Sequence, residues 1–253
     1  MEEDTGEKLD FRIKQFKEKL NRSNAIVYIS EFAKKSTHAH FNIPDIPEYI
    51  IYNGNTLNNS KSINFDKSKP KILPRRPFLF TIGQMVEKKN FHTLINMIDF
   101  LPEIDLVIAG DTRTKYAENL NQLIQKKGLK QKVHVVGRIN DQDKIYYYKN
   151  CMAFTFPSLR EGFGLPVLEA MSFGKPTFLA NKSSLPEIGG EYSFYWDHFE
   201  PRYMSNVFRN GMTKFNSNKD FYINKYTKHS QKFTWENAAK QYIKVYKSIL
   251  EKA

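Results

Sequence analysis

Apolar residues recur at helical spacing near the start of the chain and predict an amphipathic helix over 9–20. The positions that carry the pattern are Leu9, Ile13, Phe16 and Leu20. Short apolar runs at 25–29 and 49–52 predict two strands, and Ser30 between them is a suitable N-cap for a helix over 31–39. The start of the chain is therefore expected to alternate helix and strand.

A more regular alternation of strands and helices follows from residue 78 onward. The predicted strands are 78–82, 106–109, 133–136, 152–156 and 177–179. The predicted helices are 91–100, 115–127, 141–149 and 165–173. Near-continuous apolar strands separated by helices indicate an α/β fold with a Rossmann-like parallel sheet covered on both faces. Such sheets bind ligands beyond the carboxyl ends of their strands, so we expect functional residues just after each strand.

Two segments flank this alternation. Residues 55–76 are polar and rich in Asn, Ser and Lys, and are predicted to form a linker. Residues 233–253 are predicted to form a final helix that Thr234 caps. Its apolar face is expected to comprise Trp235, Ala238, Ala239, Tyr242, Tyr246, Ile249 and Leu250. The predicted units are therefore 1–54, the linker 55–76, a domain at 77–232 and the helix at 233–253.

Composition excludes several classes of protein. Hydrophobic residues make up 40% of the 253 residues, enough for a sizeable core, so wholesale disorder is excluded. The single cysteine, Cys151, excludes an intramolecular disulfide and a cysteine-based zinc cluster, and it favours a reducing, cytoplasmic location. No apolar run approaches the ~18–20 residues that cross a bilayer. The net charge of +12 is compatible with a phosphate-bearing ligand, an anionic membrane surface, nucleic acid or a solvated lysine-rich surface.

The residues after the 152–156 strand carry the clearest candidate chemistry. The loop 161–164 contains two glycines, and Leu165 and Pro166 open a helix whose free N–H groups favour an anion such as phosphate. Glu161 and Glu169 flank that anion site. Carboxylates repel phosphate, but each can accept hydrogen bonds from two vicinal hydroxyls, as on a ribose or a hexose. The alternative is a surface loop with two solvated glutamates and a glycine turn.

The stretch EGFGLPVLEAMSFGKP, followed by SSLPEIGG, resembles the retaining glycosyltransferases of family four, which have the GT-B fold. Glu161 and Glu169 match the two glutamates of that family's motif. Gly83, followed by Lys88 and Lys89, is similar to the glycine and basic pair after the first strand of the family's second domain. Weaker matches occur in the same order along the chain, so the resemblance covers nearly all of it. It implies a C-terminal donor-binding domain.

The resemblance also implies a role for each site residue. Lys89, assisted by Lys88, would neutralise the departing nucleoside diphosphate, which makes Lys89 and Glu161 the catalytic candidates. Glu161 would face the hexose and Glu169 would hold the ribose diol. The remaining implied contacts to the nucleotide-sugar are Gly83 at the phosphates, Arg138 at the base, and the amides of Phe163, Gly164 and Leu165 along the hexose and diphosphate. No metal or other cofactor is implied beyond a donor such as a GDP- or UDP-sugar.

Two departures from the family pattern bear on these expectations. Gln84 stands where many members have arginine, and members with this feature often transfer mannosyl or rhamnosyl units, so a hexosyltransferase of the mannosyl type is indicated. Residues 1–54 resemble only the tail of the first domain, which supplies the acceptor site, and are expected to be the remnant of a truncated domain. We therefore expect the chain to bind its donor without transferring sugar to a glycan or lipid-linked acceptor by itself.

Two other classes of function remain open at the level of sequence. A non-catalytic nucleotide-sugar-binding module acting with a partner chain would carry the same donor motif. A nucleic-acid binder would account for the charge of +12, but the sequence has no recognisable nucleic-acid motif, so no nucleic acid is expected. Contact with the inner face of the membrane and self-association through an exposed cleft wall are also compatible with the charge and the missing domain.

Overall fold

The structure is a computed structural model that describes residues 5–57 and 70–251. Most of the predicted linker, residues 58–69, lies outside the described residues. The first elements are α1 (Gly6–Asn21), β1 (Ile26–Tyr28), α2 (Glu31–His40) and β2 (Glu48–Ile50). β1 and β2 pair in parallel as a separate two-stranded sheet. The Ser30 hydroxyl accepts a 2.9 Å hydrogen bond from the Ala33 amide, which confirms the predicted cap of α2.

A parallel sheet forms the main body of the molecule, as predicted, and it has six strands, one more than the five expected. Its strands are β3 (Phe78–Ile82), β4 (Asp105–Ala109), β5 (Val133–Gly137), β6 (Ala153–Phe156), β7 (Thr177–Ala180) and β8 (Phe194–Trp196). They lie in the order β5-β4-β3-β6-β7-β8, and every neighbouring pair is parallel. The direction in which strands are added therefore reverses between β3 and β6, which is where such sheets bind ligands.

Helices cover both faces of this sheet. They are α3 (Phe91–Ile98), α4 (Lys115–Lys126), α5 (Asp141–Asn150), α6 (Leu165–Ser172), α7 (Leu185–Gly189), α8 (Pro201–Ser217) and α9 (Lys219–Ser230). A last helix, α10 (Trp235–Leu250), packs on β1 and β2 instead. Alternate strand residues face opposite sides, so Phe80 packs in one hydrophobic cluster with residues of α5 and α6, whereas Leu79 packs in another with residues of α3 and α4. The doubly covered sheet that the apolar strands predict is confirmed.

Four elements between residues 185 and 230 were not among the predicted ones. The buried residues Met204, Phe208, Gly211 and Phe215 follow helical spacing along α8, so the sequence held a signal for that helix. The helix α9 buries only Tyr226 and Ser230, which leaves little periodicity to detect. The strand β8 has three residues at the sheet edge, and α7 is a single short turn.

The buried face of α10 differs from the predicted one. Ala238 and Val245 are buried, and Tyr242 and Ile249 pack beside them against β1, β2 and Ile51. The predicted residues Trp235, Ala239, Tyr246 and Leu250 are instead exposed. The predicted face omitted Val245, whereas α10 carries two apolar stripes, and the one through Val245 faces the core. The cap by Thr234 is confirmed, since its hydroxyl accepts from the Asn237 amide at 3.1 Å.

The beginning of α10 is packed directly on the chain that leaves β2. The Asn55 amide donates to the Phe233 carbonyl at 3.0 Å, and the Asn55 side chain donates to the Leu168 carbonyl of α6 at 2.9 Å. A Cβ atom on Gly54 would overlap the backbone nitrogen of Trp235. Because neither backbone can give way easily, this crossing requires glycine.

We expect Gly54→Ala to lower the free energy of unfolding by at least about 2 kcal/mol, since an added methyl group has no space beside the backbone of α10. Urea denaturation measures the change. Gly128→Ala is the matched control, because a methyl group there meets nothing within 4 Å and only the positive φ of +68° is unfavourable, by about 1 kcal/mol. Equal losses in the two variants would contradict the role of Gly54.

Candidate functional site

Two loops meet where the strand order reverses. The loop 83–90 follows β3 and the loop 157–164 follows β6. The Lys88 carbonyl accepts hydrogen bonds from the Leu159 amide at 2.8 Å and from the Ser158 hydroxyl at 3.2 Å. The two loops are therefore joined through the backbone, and the side chains they carry are held at one place.

The turn that presents Lys89 is fixed by the residue after it. Asn90 is buried and has a left-handed backbone with φ of 57°, which ends the 3-10 turn at 87–89 and begins α3. Its side chain donates to the Pro157 carbonyl at 3.2 Å. Asparagine adopts this backbone conformation more readily than most residues. Lys89 is thus oriented toward the second loop by its neighbour.

Lys89 and Glu161 form an ion pair between the loops. The Lys89 ammonium lies 2.5 Å from Glu161 Oε1, and both side chains are mostly buried, with exposures of 13% and 14%. The ammonium also lies 5.0 Å from the centre of the Phe156 ring. Gly83 lies alongside, since a Cβ atom there would sit 3.4 Å from Lys89 Cε. The structure therefore brings three sequence-predicted residues together.

Two buried serines hold the backbone of the Glu161 loop. The Ser184 hydroxyl lies 2.9 Å from the Glu161 carbonyl and 2.7 Å from the Phe163 carbonyl, so its proton is shared between them. The Ser30 hydroxyl donates to the Gly162 carbonyl at 2.7 Å. The three consecutive carbonyls of residues 161–163 are therefore all paired with buried serine hydroxyls.

The backbone amides of this loop are available to a ligand. Within the described residues, the N–H groups of Phe163, Gly164 and Leu165 make no hydrogen bond. Gly164, with φ of 119°, is the N-cap of α6, and a side chain there would be strained. The Phe163 ring is buried against Tyr52 and Phe233, which anchors this part of the loop. Free amides at the start of a helix form an anion site.

Glu169 lies within α6 and is 9% exposed. Its Oε2 accepts a 2.8 Å hydrogen bond from the Tyr148 hydroxyl, and its Oε1 lies 3.2 Å from the Lys144 ammonium. Both partners belong to α5. Sequence analysis singled out Glu169 but neither of its partners.

Two sequence-predicted residues lie apart from this group. Arg138 is 76% exposed, and its Nε lies 3.8 Å from Asp111 Oδ2. Hydrogen bonds from Arg113, with the nearby charge of Arg138, hold the pKa of Asp111 well below its ordinary value. Lys88 borders a cleft of about 690 Å³ whose lining includes Leu159 and Arg160 of the second loop as well as Met85, Thr114 and Tyr116, but neither Lys89 nor Glu161. The base contact of Arg138 and the assisting role of Lys88 stay predictions.

Gly110 is a further site residue that the sequence analysis did not select. A Cβ atom on Gly110 would overlap the carbonyl oxygen of Gly83. The loop after β3 can therefore approach the end of β4 only because position 110 is glycine. Its place directly after a strand was the available signal.

Within residues 5–57 and 70–251, no cluster of three or more His, Cys, Asp and Glu side chains could hold a metal ion. In the same ranges, no helix has both the length and the apolar character needed to span a membrane.

Comparisons with known proteins agree with this arrangement. The family described as glycosyl transferases group 1 matches residues 62–206. The chain is 26% identical over 244 residues to O-antigen chain mannosyltransferase B of Escherichia coli, covering 93% of this chain but 64% of that protein. The chain therefore spans less than two thirds of this relative.

Solved structures show the same fold at low sequence identity. A glycosyltransferase of Rickettsia africae superposes with a TM-score of 0.78 at 16% identity, covering 91% of this chain and 64% of that one. HepE of Anabaena, solved with UDP-glucose, gives a TM-score of 0.73 at 18% identity, with coverage of 89% and 64%. The expected GT-B fold is confirmed.

We expect Ser184→Ala to lower the free energy of unfolding by about 1–3 kcal/mol, because two buried carbonyls lose their shared donor. Ser217→Ala removes a comparable hydrogen bond from the exposed end of α8 and should change stability by less than about 0.5 kcal/mol. Chemical denaturation of both variants decides the matter. If Ser184→Ala behaved like Ser217→Ala, the loop would not depend on this hydroxyl.

Proposed function

Because the chain belongs to the glycosyl transferases group 1 family, we propose that it binds a nucleoside diphosphate sugar and presents the sugar for transfer, with retention, to a glycan or lipid-linked acceptor. The observation that carries the proposal is the juxtaposition of the Lys89–Glu161 pair with the free amides at the start of α6. A cation and a helix start together suit a diphosphate, and the carboxylate beside them suits a sugar hydroxyl.

In this proposal, the diphosphate lies against the amides of residues 163–165 and competes with Glu161 for the Lys89 ammonium. Lys89 is mostly buried, so its charge acts on the phosphates with little screening by solvent. Glu161, released from the pair, accepts a hydrogen bond from a hexose hydroxyl. When the diphosphate binds, Lys89 thus changes its partner from Glu161 to phosphate, and Glu161 becomes able to bind the sugar.

The proposed transfer breaks the bond between the anomeric carbon and a donor phosphate oxygen. The bonding electrons stay on the nucleoside diphosphate, and Lys89 offsets the added negative charge, so we propose that no bound metal is needed. The acceptor hydroxyl attacks from the same face of the sugar and forms the new glycosidic bond. Its proton passes to the departing phosphate oxygen, and no covalent enzyme intermediate is required.

We propose a mannosyl donor. The support is the similarity to a protein named O-antigen chain mannosyltransferase, together with Gln84 in place of the arginine that many members have. The alternative is a UDP-sugar, since the similar HepE structure contains UDP-glucose.

Lys89→Ala should weaken the binding of a nucleoside diphosphate by about 10- to 100-fold and leave binding of the parent nucleoside nearly unchanged. Only the diphosphate presents the charge that Lys89 neutralises. Titration calorimetry with UDP, GDP and the nucleosides measures both effects. Lys88→Ala is the matched comparison and should lose less affinity for the diphosphate, because Lys89 is the lysine that pairs with Glu161. Equal losses for nucleoside and diphosphate would assign Lys89 a structural role.

A calorimetric panel of GDP-mannose, UDP-glucose and dTDP-rhamnose tests the proposed donor class directly. We expect the chain to bind GDP-mannose most tightly, with a Kd between about 1 μM and 1 mM. Failure to bind any member of the panel would overturn the proposal.

A further inference from the structure

Both carboxylate oxygens of Glu169 are already held by residues of α5. The Tyr148 hydroxyl lies 2.8 Å from Oε2 and 3.3 Å from the Pro166 carbonyl, so its one proton is directed to the nearer, charged acceptor. The Lys144 ammonium lies 3.2 Å from Oε1. A carboxylate oxygen has two acceptor directions, so each oxygen keeps one for a further donor. Two acceptor positions therefore remain, which is the number that the two hydroxyls of a ribose require.

The Tyr148 side chain cannot rotate away from this position. It is fully buried, stacks on Phe173 with ring centres 5.9 Å apart, and meets Phe80 edge-on at 5.1 Å. Burial and the neighbouring Glu169 charge raise the pKa of Tyr148 well above its ordinary value, so the hydroxyl keeps its proton. Because it is covered on all sides, it cannot itself touch a nucleotide.

Lys144, the second partner of Glu169, is also held in place by a further contact. Its side chain is 19% exposed and also lies 3.4 Å from the carboxylate of Asp141, one turn earlier in α5. The helix itself begins at a defined residue, because the Asn140 side chain accepts from the Asp143 amide at 2.8 Å. The Lys144 ammonium is therefore held beside Glu169 by a helix whose first turn is capped.

We propose that Tyr148 and Lys144 are positioning residues that fix the Glu169 carboxylate for simultaneous binding of the ribose 2′- and 3′-hydroxyls. An unsupported glutamate has three rotatable bonds and would lose that freedom on binding. With the two donors in place, this loss has already occurred in the free protein. Discrimination between ribonucleotides and 2′-deoxyribonucleotides is thus set by α5, outside the phosphate loops. The inference rests on the proposed function.

The test measures the Kd of UDP or GDP, whichever binds more tightly, and of its 2′-deoxy form. Wild type should prefer the ribonucleotide. Tyr148→Phe should weaken ribonucleotide binding on the order of tenfold and the 2′-deoxy form far less, which lowers the ratio. Tyr147→Phe is the matched control: its hydroxyl also donates within the fold, at 2.7 Å to the Ile72 carbonyl, but not to Glu169. It should keep the wild-type ratio.

Lys144→Gln provides a second variant if Tyr148→Phe fails to fold, and it should lower the same ratio. Glu169→Gln separates the two proposals. If Glu169→Gln abolishes the preference for ribose while the Tyr148 and Lys144 variants keep it, the positioning role is overturned and the proposed function stands. If wild type binds no nucleotide, or Glu169→Gln keeps the preference, the ribose assignment fails and this inference fails with it.

Discussion

The order of strands in the six-stranded sheet is the constraint on which the site depends. Because the order reverses between β3 and β6, the loops at their carboxyl ends are neighbours. This order brings together Lys89 and Glu161, which are 72 residues apart in the chain. The hydrogen bonds to the Lys88 carbonyl then join the two loops, and the missing side chain of Gly110 lets the loop after β3 approach the end of β4.

The N-terminal segment belongs to the structural support of this site. Ser30 holds the Gly162 carbonyl, and the Glu187 carboxylate of α7 accepts from the amides of Glu31 and Phe32 at 2.8 and 3.1 Å. A carboxylate at a helix start is favourable because it meets unpaired amides and the positive end of the helix dipole. Residues 1–54 are a separate unit in the sequence pattern, but in the structure Ser30 contacts the 157–164 loop directly.

The features that could be predicted from the sequence are those formed by residues close together in the chain. The strands β3 to β7 carry continuous apolar runs, and Glu161 to Glu169 form one contiguous motif, so both were identified. The supporting residues act over long separations: Ser30 lies 132 residues from Gly162, and Tyr148 lies 21 residues from Glu169. No local sequence pattern identifies the distant partner of a single serine or tyrosine, so that partner is known only once the fold is known. The stripe on α10 failed for a related reason, since two apolar faces compete and only packing selects one.

The hydrogen bond between Ser30 and Gly162 links the N-terminal segment to the 157–164 loop thermodynamically. Coupling between two sites is reciprocal, so a ligand that ordered the loop would favour the attached position of α2 to the extent that the two depend on this bond. A bound nucleotide would then protect the backbone around Ser30 from proteolysis and hydrogen exchange, although it touches none of those residues. In the reverse direction, a change in the position of α2 would alter the affinity for donor. Through this one bond, ordering of the 157–164 loop and the position of α2 would each affect the other.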